Sequence, residues 1–140
     1  MAESSLWKYL RKNMQGYGHW IRVENAVELG TPDVNGCCQY QGKSIDVWIE
    51  LKAIDEWPKR ATTRVKLKRF TDEQKQWLID RRKAGGKAFL FIRVGREYFL
   101  FKPGIAYHIE NMTQAQWRKH AHFFAIGSID WDSFRRSLWR

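Results

Sequence analysis

Residues 45–53 read IDVWIELKA. At a period of two, Ile45, Val47, Ile49 and Leu51 share one face, and Asp46, Trp48, Glu50 and Lys52 share the other. The run is rich in β-branched residues, so it predicts a strand over about 44–53, the strongest in the chain and the centre of a sheet. On such a strand Glu50 and Lys52 point the same way, about 6.5–7 Å apart along the axis.

Just upstream, GTPDVNG (30–36) is rich in breakers and reads as a turn entering a short strand. Asp33 then stands at the end of a neighbouring strand and can come level with Glu50 and Lys52. Two readings stand. One is a turn followed by a half-exposed strand whose charged face meets solvent, a common pattern. The other is a metal site. Two carboxylates with open water positions suit Mg²⁺, and the backbone carbonyl of Leu51 offers another oxygen. A metal there would polarise a phosphoryl oxygen and lower the pKa of an attacking water. Lys52 would orient that water or stabilise transition-state charge.

Working outward, SSLWKYLRKNM (4–14) predicts a helix capped by Ser4 or Ser5 and ended by Gly16 and Gly18. HWIRVEN (19–25) alternates as a strand, with Trp20, Arg22 and Glu24 on one side. A second turn surrounds Gly42. TDEQKQWLIDRRKAGG (71–86) predicts a helix capped by Thr71, with Gln74 three residues on and Gly85–Gly86 as the stop. KAFLFIRVG and EYFLFKP predict a hairpin, and TQAQWRKHAHFF and DWDSFRRSLWR two closing helices capped by Thr113 and Asp130. This order predicts one mixed α/β (α+β) domain over residues 1–140, with a helical C-terminal segment at about 113–140.

Between strand and long helix, residues 54–70 show no clean periodicity. From 59 to 69 they carry Lys59, Arg60, Arg64, Lys66, Lys68 and Arg69 and no acid. The segment predicts a flexible cationic loop, suited to gripping phosphates or simply solvated. Arg135, Arg136 and Arg140 extend the basic surface or merely end a helix.

The 140 residues carry a formal charge of +10 and a pI near 9.9. That balance favours a polyanionic partner, foremost nucleic acid. A membrane is ranked lower, because no long apolar run or basic amphipathic anchor is present. Cys37 and Cys38 are adjacent, which is neither a disulfide framework nor a zinc spacing and fits a reducing cytoplasm. His19, His108, His120 and His122 lack His-x-x-x-His spacing and read as structural or surface residues. Trp48 could stack on a base or pack under the long helix.

GTPDVNG with WIELKA, followed by a helix entered through TDEQKQWL, resembles the PD-(D/E)XK nuclease superfamily over roughly residues 18–102. The branches it looks most like are the VRR-NUC type and the Holliday-junction-resolvase-like enzymes of phages. The resemblance implies a restriction-endonuclease-like mixed central sheet flanked by helices. It implies a Mg²⁺-dependent DNA endonuclease (Mn²⁺ as substitute) acting on branched DNA such as Holliday junctions. It also implies a homodimer, working in the cytoplasm, that of the host if phage-encoded. Asp33 and Glu50 would be metal ligands and Lys52 the catalytic lysine. Gln74 matches the family's helical glutamine near the site, although it also completes a capping box with Thr71. For the family's upstream acid, Glu24 beside Arg22 is favoured, with Glu28 and Glu3 as alternatives. Arg22 joins the six basic residues as a DNA contact. The alternatives are a monomeric flap- or end-directed or nonspecific DNA nuclease, and a catalytically silent basic DNA-binding module.

Overall fold

The computed structural model describes residues 2–25 and 27–140. In chain order the elements are α1 (Ala2–Met14), β1 (Gly18–Arg22), β2 (Val34–Tyr40), β3 (Lys43–Ile54), α2 (Asp72–Lys83), β4 (Lys87–Val94), β5 (Glu97–Phe101), α3 (Gln114–His120), β6 (Phe123–Ile126) and α4 (Trp131–Ser137). Short 3₁₀ turns fill part of the remainder.

The strands form one six-stranded sheet in sequence order, β1 to β6. Every neighbouring pair is antiparallel except β3–β4, which is parallel. A parallel pair needs a crossover to bring the chain back, and α2 supplies it. Its ends are well specified. Thr71 and Gln74 form a reciprocal capping box, and Gly85 follows the last turn at φ +96. The mixed sheet flanked by helices is therefore the expected fold class, with β3 at its centre.

Alternation along β3 and β4 feeds two cores. Val47, Ile49, Leu51, Phe89 and Phe91 pack with Leu6, Leu10 and Met14 of α1 and Phe134 of α4. Leu90 and Ile92 pack on the other face with Leu78 of α2 and Trp117 of α3. Trp48 belongs to this second face and meets Trp77 of α2 at 5.2 Å between ring centroids, so it packs under the long helix. Among the described residues no helix is long and apolar enough to cross a membrane.

Three boundaries differ from expectation. Helix α1 already runs from Ala2, so Ser4 and Ser5 lie within it rather than capping it. Strand β1 stops at Arg22, which leaves Glu24 beyond its end. The expected helical segment at about 113–140 is helix, edge strand, helix: α3 ends at His120 and residues 123–126 pair with β5. The reason lies in two phenylalanines. Phe123 packs against one core and Phe124 against the other, an arrangement that opposite-facing strand positions provide.

The cationic segment also differs. It carries no regular element, but it is held down at alternate positions. Val65 and Leu67 are buried while Arg64, Lys66 and Lys68 stay exposed. The Val65 amide donates to Met112 O at 2.9 Å and the Leu67 amide to Glu110 Oε2 at 3.0 Å. The expected flexible loop is thus an anchored ribbon with a period of two, its apolar side inward.

Gly30 ties the turn before β2 to α2. Its φ is +86, and a Cβ there would lie 2.4 Å from the carbonyl oxygen of Glu73. Both the left-handed backbone and the close approach require glycine. Gly30→Ala is expected to destabilise the protein by more than about 1 kcal/mol, read as a drop in denaturation midpoint. Gly16→Ala, with nothing within 4 Å of its Cβ, is the control and should not lower the midpoint.

Candidate metal centre

Strand β2 leaves β3 at a defined place. Their last pair toward the C-terminal end of β3 is Val34 with Ile49, so the edge of β3 at residues 50–52 has no strand beside it. Asp33 fills the gap. Its Oδ2 accepts a hydrogen bond from the Leu51 amide at 2.9 Å, and its backbone oxygen accepts from the Val23 amide at 2.8 Å. The N–H and C=O of a strand residue face the same edge, so the Leu51 carbonyl also faces the Asp33 side.

Glu50 and Lys52 point to the α2 face and are 1% and 3% exposed. The half-exposed, solvated strand is therefore not what the chain builds. Glu50 Oε2 lies 3.5 Å from Lys52 Nζ, while Glu50 Oε1 is buried without a hydrogen-bond partner among the described residues. Lys52 Nζ donates to the backbone oxygen of Arg69 at 2.9 Å and sits 5.7 Å from the centre of the Phe70 ring. Arg69 adopts φ +59, a left-handed backbone uncommon outside glycine and of the kind found at functional sites.

Burial, and next the neighbouring Asp33 carboxylate, push Glu50 up to about 9, against a smaller opposing pull from Lys52. Without a bound cation this balance favours the protonated form of Glu50 at neutral pH. A divalent cation would reverse that balance by replacing the proton.

The donor set fits Mg²⁺. It offers two carboxylates, one of them with a buried unpartnered oxygen, and a carbonyl facing the same edge. Mg²⁺ prefers oxygen ligands and commonly uses one or two carboxylates with waters and substrate phosphates. Among the described residues no group of three or more His, Cys, Asp or Glu side chains could hold a metal ion. The set offers only oxygen donors, with no His or Cys, which suits a hard cation rather than a structural zinc site.

The other expected residues are placed as follows. Glu24 is exposed beyond β1 and forms no hydrogen bond or ion pair with a described residue. Glu28 is exposed in a turn organised by the Asn25 side chain. Glu3 lies in the first turn of α1, which packs on the sheet face opposite Glu50. The Gln74 side chain accepts from the Thr71 amide at 3.0 Å, so its oxygen serves the helix cap. Arg22, Lys59, Arg60, Arg64, Lys66, Lys68 and Arg69 are all exposed. Lys66 Nζ donates to Glu110 O at 2.9 Å. At the end of β3, two residues past Lys52, a cavity of about 410 Å³ opens between Ile54, Trp57, Lys59, Arg64 and Lys66.

Sequence reading missed the clamp on Lys52. Arg69 was expected as a phosphate contact, yet its backbone oxygen and the Phe70 ring hold the lysine. Lys75 was missed too: it lies 5.2 Å from the same ring centre and pairs with Glu110 at 3.3 Å. A backbone carbonyl leaves no mark in sequence, whereas a lone aromatic after a basic run is a weak one.

No protein-family model matches the chain, and no curated protein matches it. Among solved structures it is similar to Hjc, a Holliday junction resolvase from the archaeal hyperthermophile Archaeoglobus fulgidus. That likeness spans 74% of each chain at 17% identity and a TM-score of 0.49. At that level of similarity the site stands on its own geometry.

Because Glu50 is raised above its ordinary 4.5 in the fold, the folded chain keeps a proton that the unfolded chain has released between about 4.5 and 9. Its contribution to stability is full below 4.5 and is lost as pH rises through that window. The metal-free protein should therefore lose more melting temperature between about pH 5 and pH 8 than Glu50→Gln does. Mg²⁺ at about one hundred times its Kd should restore about 2.7 kcal/mol to the wild type and nothing to the variant. Parallel thermal melts in EDTA and Mg²⁺ read both effects.

Proposed function

We propose that the chain is a Mg²⁺-dependent DNA endonuclease that hydrolyses phosphodiester bonds, with branched DNA such as a Holliday junction as its substrate. The observation that carries the reading is the convergence of Asp33, Glu50 and Lys52 where β2 leaves β3, with Glu50 Oε1 buried and unpartnered. Burying such groups costs several kcal/mol per ion, and perturbed carboxylates of this kind concentrate at functional sites.

In this reading the Asp33 and Glu50 carboxylates and the Leu51 carbonyl hold the metal. A Mg²⁺ ion held there would polarise the phosphoryl oxygen and lower the pKa of the attacking water. Lys52 has three ammonium protons. One goes to Arg69 O and another faces Glu50, which leaves one for the water or the phosphate. The water oxygen bonds to phosphorus and loses a proton, the bond to the sugar oxygen breaks, and that oxygen gains a proton. Arg22, Lys59, Arg60, Arg64, Lys66, Lys68 and Arg69 hold flanking phosphates by charge, with a steep salt dependence. Gln74 supports the site by fixing the start of α2, against which the Gly30 turn rests.

The branched substrate rests on the motif resemblance to resolvase-like enzymes. A four-way junction presents symmetry-related strands, which a homodimer of this chain would engage.

Purified protein incubated with a labelled four-way junction and a matched linear duplex tests the reading. In Mg²⁺ the junction should be cut, and EDTA should stop it. Lys52→Ala should lower cutting by at least about a hundredfold while junction binding persists, a loss typical for one electrostatic catalytic group. Equal cutting of the duplex would discard the branch preference and leave a general nuclease. Binding without cutting in either Mg²⁺ or Mn²⁺ would leave only a DNA-binding module.

A further inference from the structure

At the far end of α2 from the Gly30 turn, a cavity of about 160 Å³ opens between the end of that helix, the start of β4 and the end of β5. It holds roughly five waters' worth of space, enough for a tetrahedral anion. Arg82, Lys87, Lys102 and Arg140 line it beside Phe89 and Pro103, and no acidic residue does. These cations come from separate parts of the chain. Arg82 matches the dipole at the end of α2 and needs no other explanation. Lys87, Lys102 and Arg140 are not on that helix.

No acidic side chain lines the cavity to neutralise them. The side chains of Arg82, Lys102 and Arg140 make no ion pair or hydrogen bond with a described residue. Lys87 Nζ donates once, to Trp139 O at 3.2 Å, and has two further protons. Like charges that converge without a counterion repel one another, and a bound anion would convert that repulsion into attraction.

We propose that this cavity is a phosphate-binding site, formed by Arg82, Lys87, Lys102 and Arg140 and separate from the candidate metal centre. The phosphate has two possible sources. One is the backbone of DNA engaged at the metal centre. Lys87 pairs with Val47 and Leu90 with Glu50, so the cavity lies three residues along the sheet, about 10 Å, from the level of Glu50. The other is a free phosphate or the phosphate of a small molecule.

His122 is a built-in reporter. Its ring stacks on Phe89, and its Nε2 lies 2.7 Å from Ser137 O. Burial lowers its pKa first, and Lys102, Arg140 and Lys87 lower it further. A phosphate among those cations should therefore raise the His122 titration midpoint.

The test uses the full chain at constant ionic strength, with inorganic phosphate replacing chloride. His122 ring signals followed by NMR should shift saturably, and the titration midpoint should rise. Both effects should vanish in Arg82→Gln/Lys102→Gln, whose altered side chains are exposed and leave the fold intact. Lys12→Gln/Lys119→Gln, with the same loss of charge elsewhere on the surface, should behave as wild type. Duplex binding across a salt series then separates the sources. If the cavity holds DNA, the slope of log K against log salt falls by about 0.9 per lost phosphate contact, beyond the control. An unchanged slope with phosphate binding lost identifies a free phosphate. A His122 signal that phosphate does not move, with a salt slope equal to the control's, overturns the proposal. Neither readout requires cutting, so this site stands or falls apart from the nuclease reading.

Discussion

A carboxyl group buried beside a second carboxylate is the constraint on which the rest of this structure depends. Glu50 is 1% exposed, Asp33 raises its pKa, and one of its oxygens has no partner among the described residues. A chain selected for stability alone would place a hydrophobic residue there. Several features hold the arrangement in place. The departure of β2 at Val34 frees the Leu51 amide for Asp33. Gly30 seats the turn on α2, and the capping box at Thr71 and Gln74 fixes where that helix begins. The left-handed Arg69 carries the carbonyl that receives Lys52.

The charges are divided between surface and interior in a way that suits a polyanion. The chain carries a net +10, and the basic ribbon from 59 to 69 leaves the sheet just beyond Lys52. Its cations are exposed while Val65 and Leu67 anchor it, so the basic surface is positioned by the core. The acidic pair lies inside, where surface salt screens it less. In the proposed reading, a divalent cation that displaces the Glu50 proton would offset the repulsion between the ionised pair and a DNA phosphate. On the proposed function, substrate and metal would thus be coupled by the electrostatics of the site.

Much of this was legible in the sequence because it follows from short-range rules. The β3 alternation placed Glu50 and Lys52 on one face, the breakers at 30–36 placed Asp33 at a strand end, and Thr71 with Gln74 announced α2. What escaped depends on tertiary contacts. Phe123 and Phe124 follow a helical stretch without interruption, and only the two cores on opposite faces reveal them as an edge strand. Val65 and Leu67 do alternate with cations, but in so basic a run the alternation was lost against the charge. The clamp of Arg69 O on Lys52 is a backbone contact across seventeen residues and has no signature in side-chain pattern. The expected upstream acid shows the opposite failure. Glu24 was read as a strand residue facing the site, and β1 ends before reaching it.

The most direct test is Mn²⁺ binding to the full chain, followed by loss of the free-ion electron paramagnetic resonance signal. The wild type should remove Mn²⁺ at a saturable site, Mg²⁺ should compete for it, and Asp33→Asn and Glu50→Gln should each abolish it with the fold intact. Binding of Mn²⁺ equally well by both variants, or no binding by the folded wild type, would contradict a metal centre at Asp33 and Glu50.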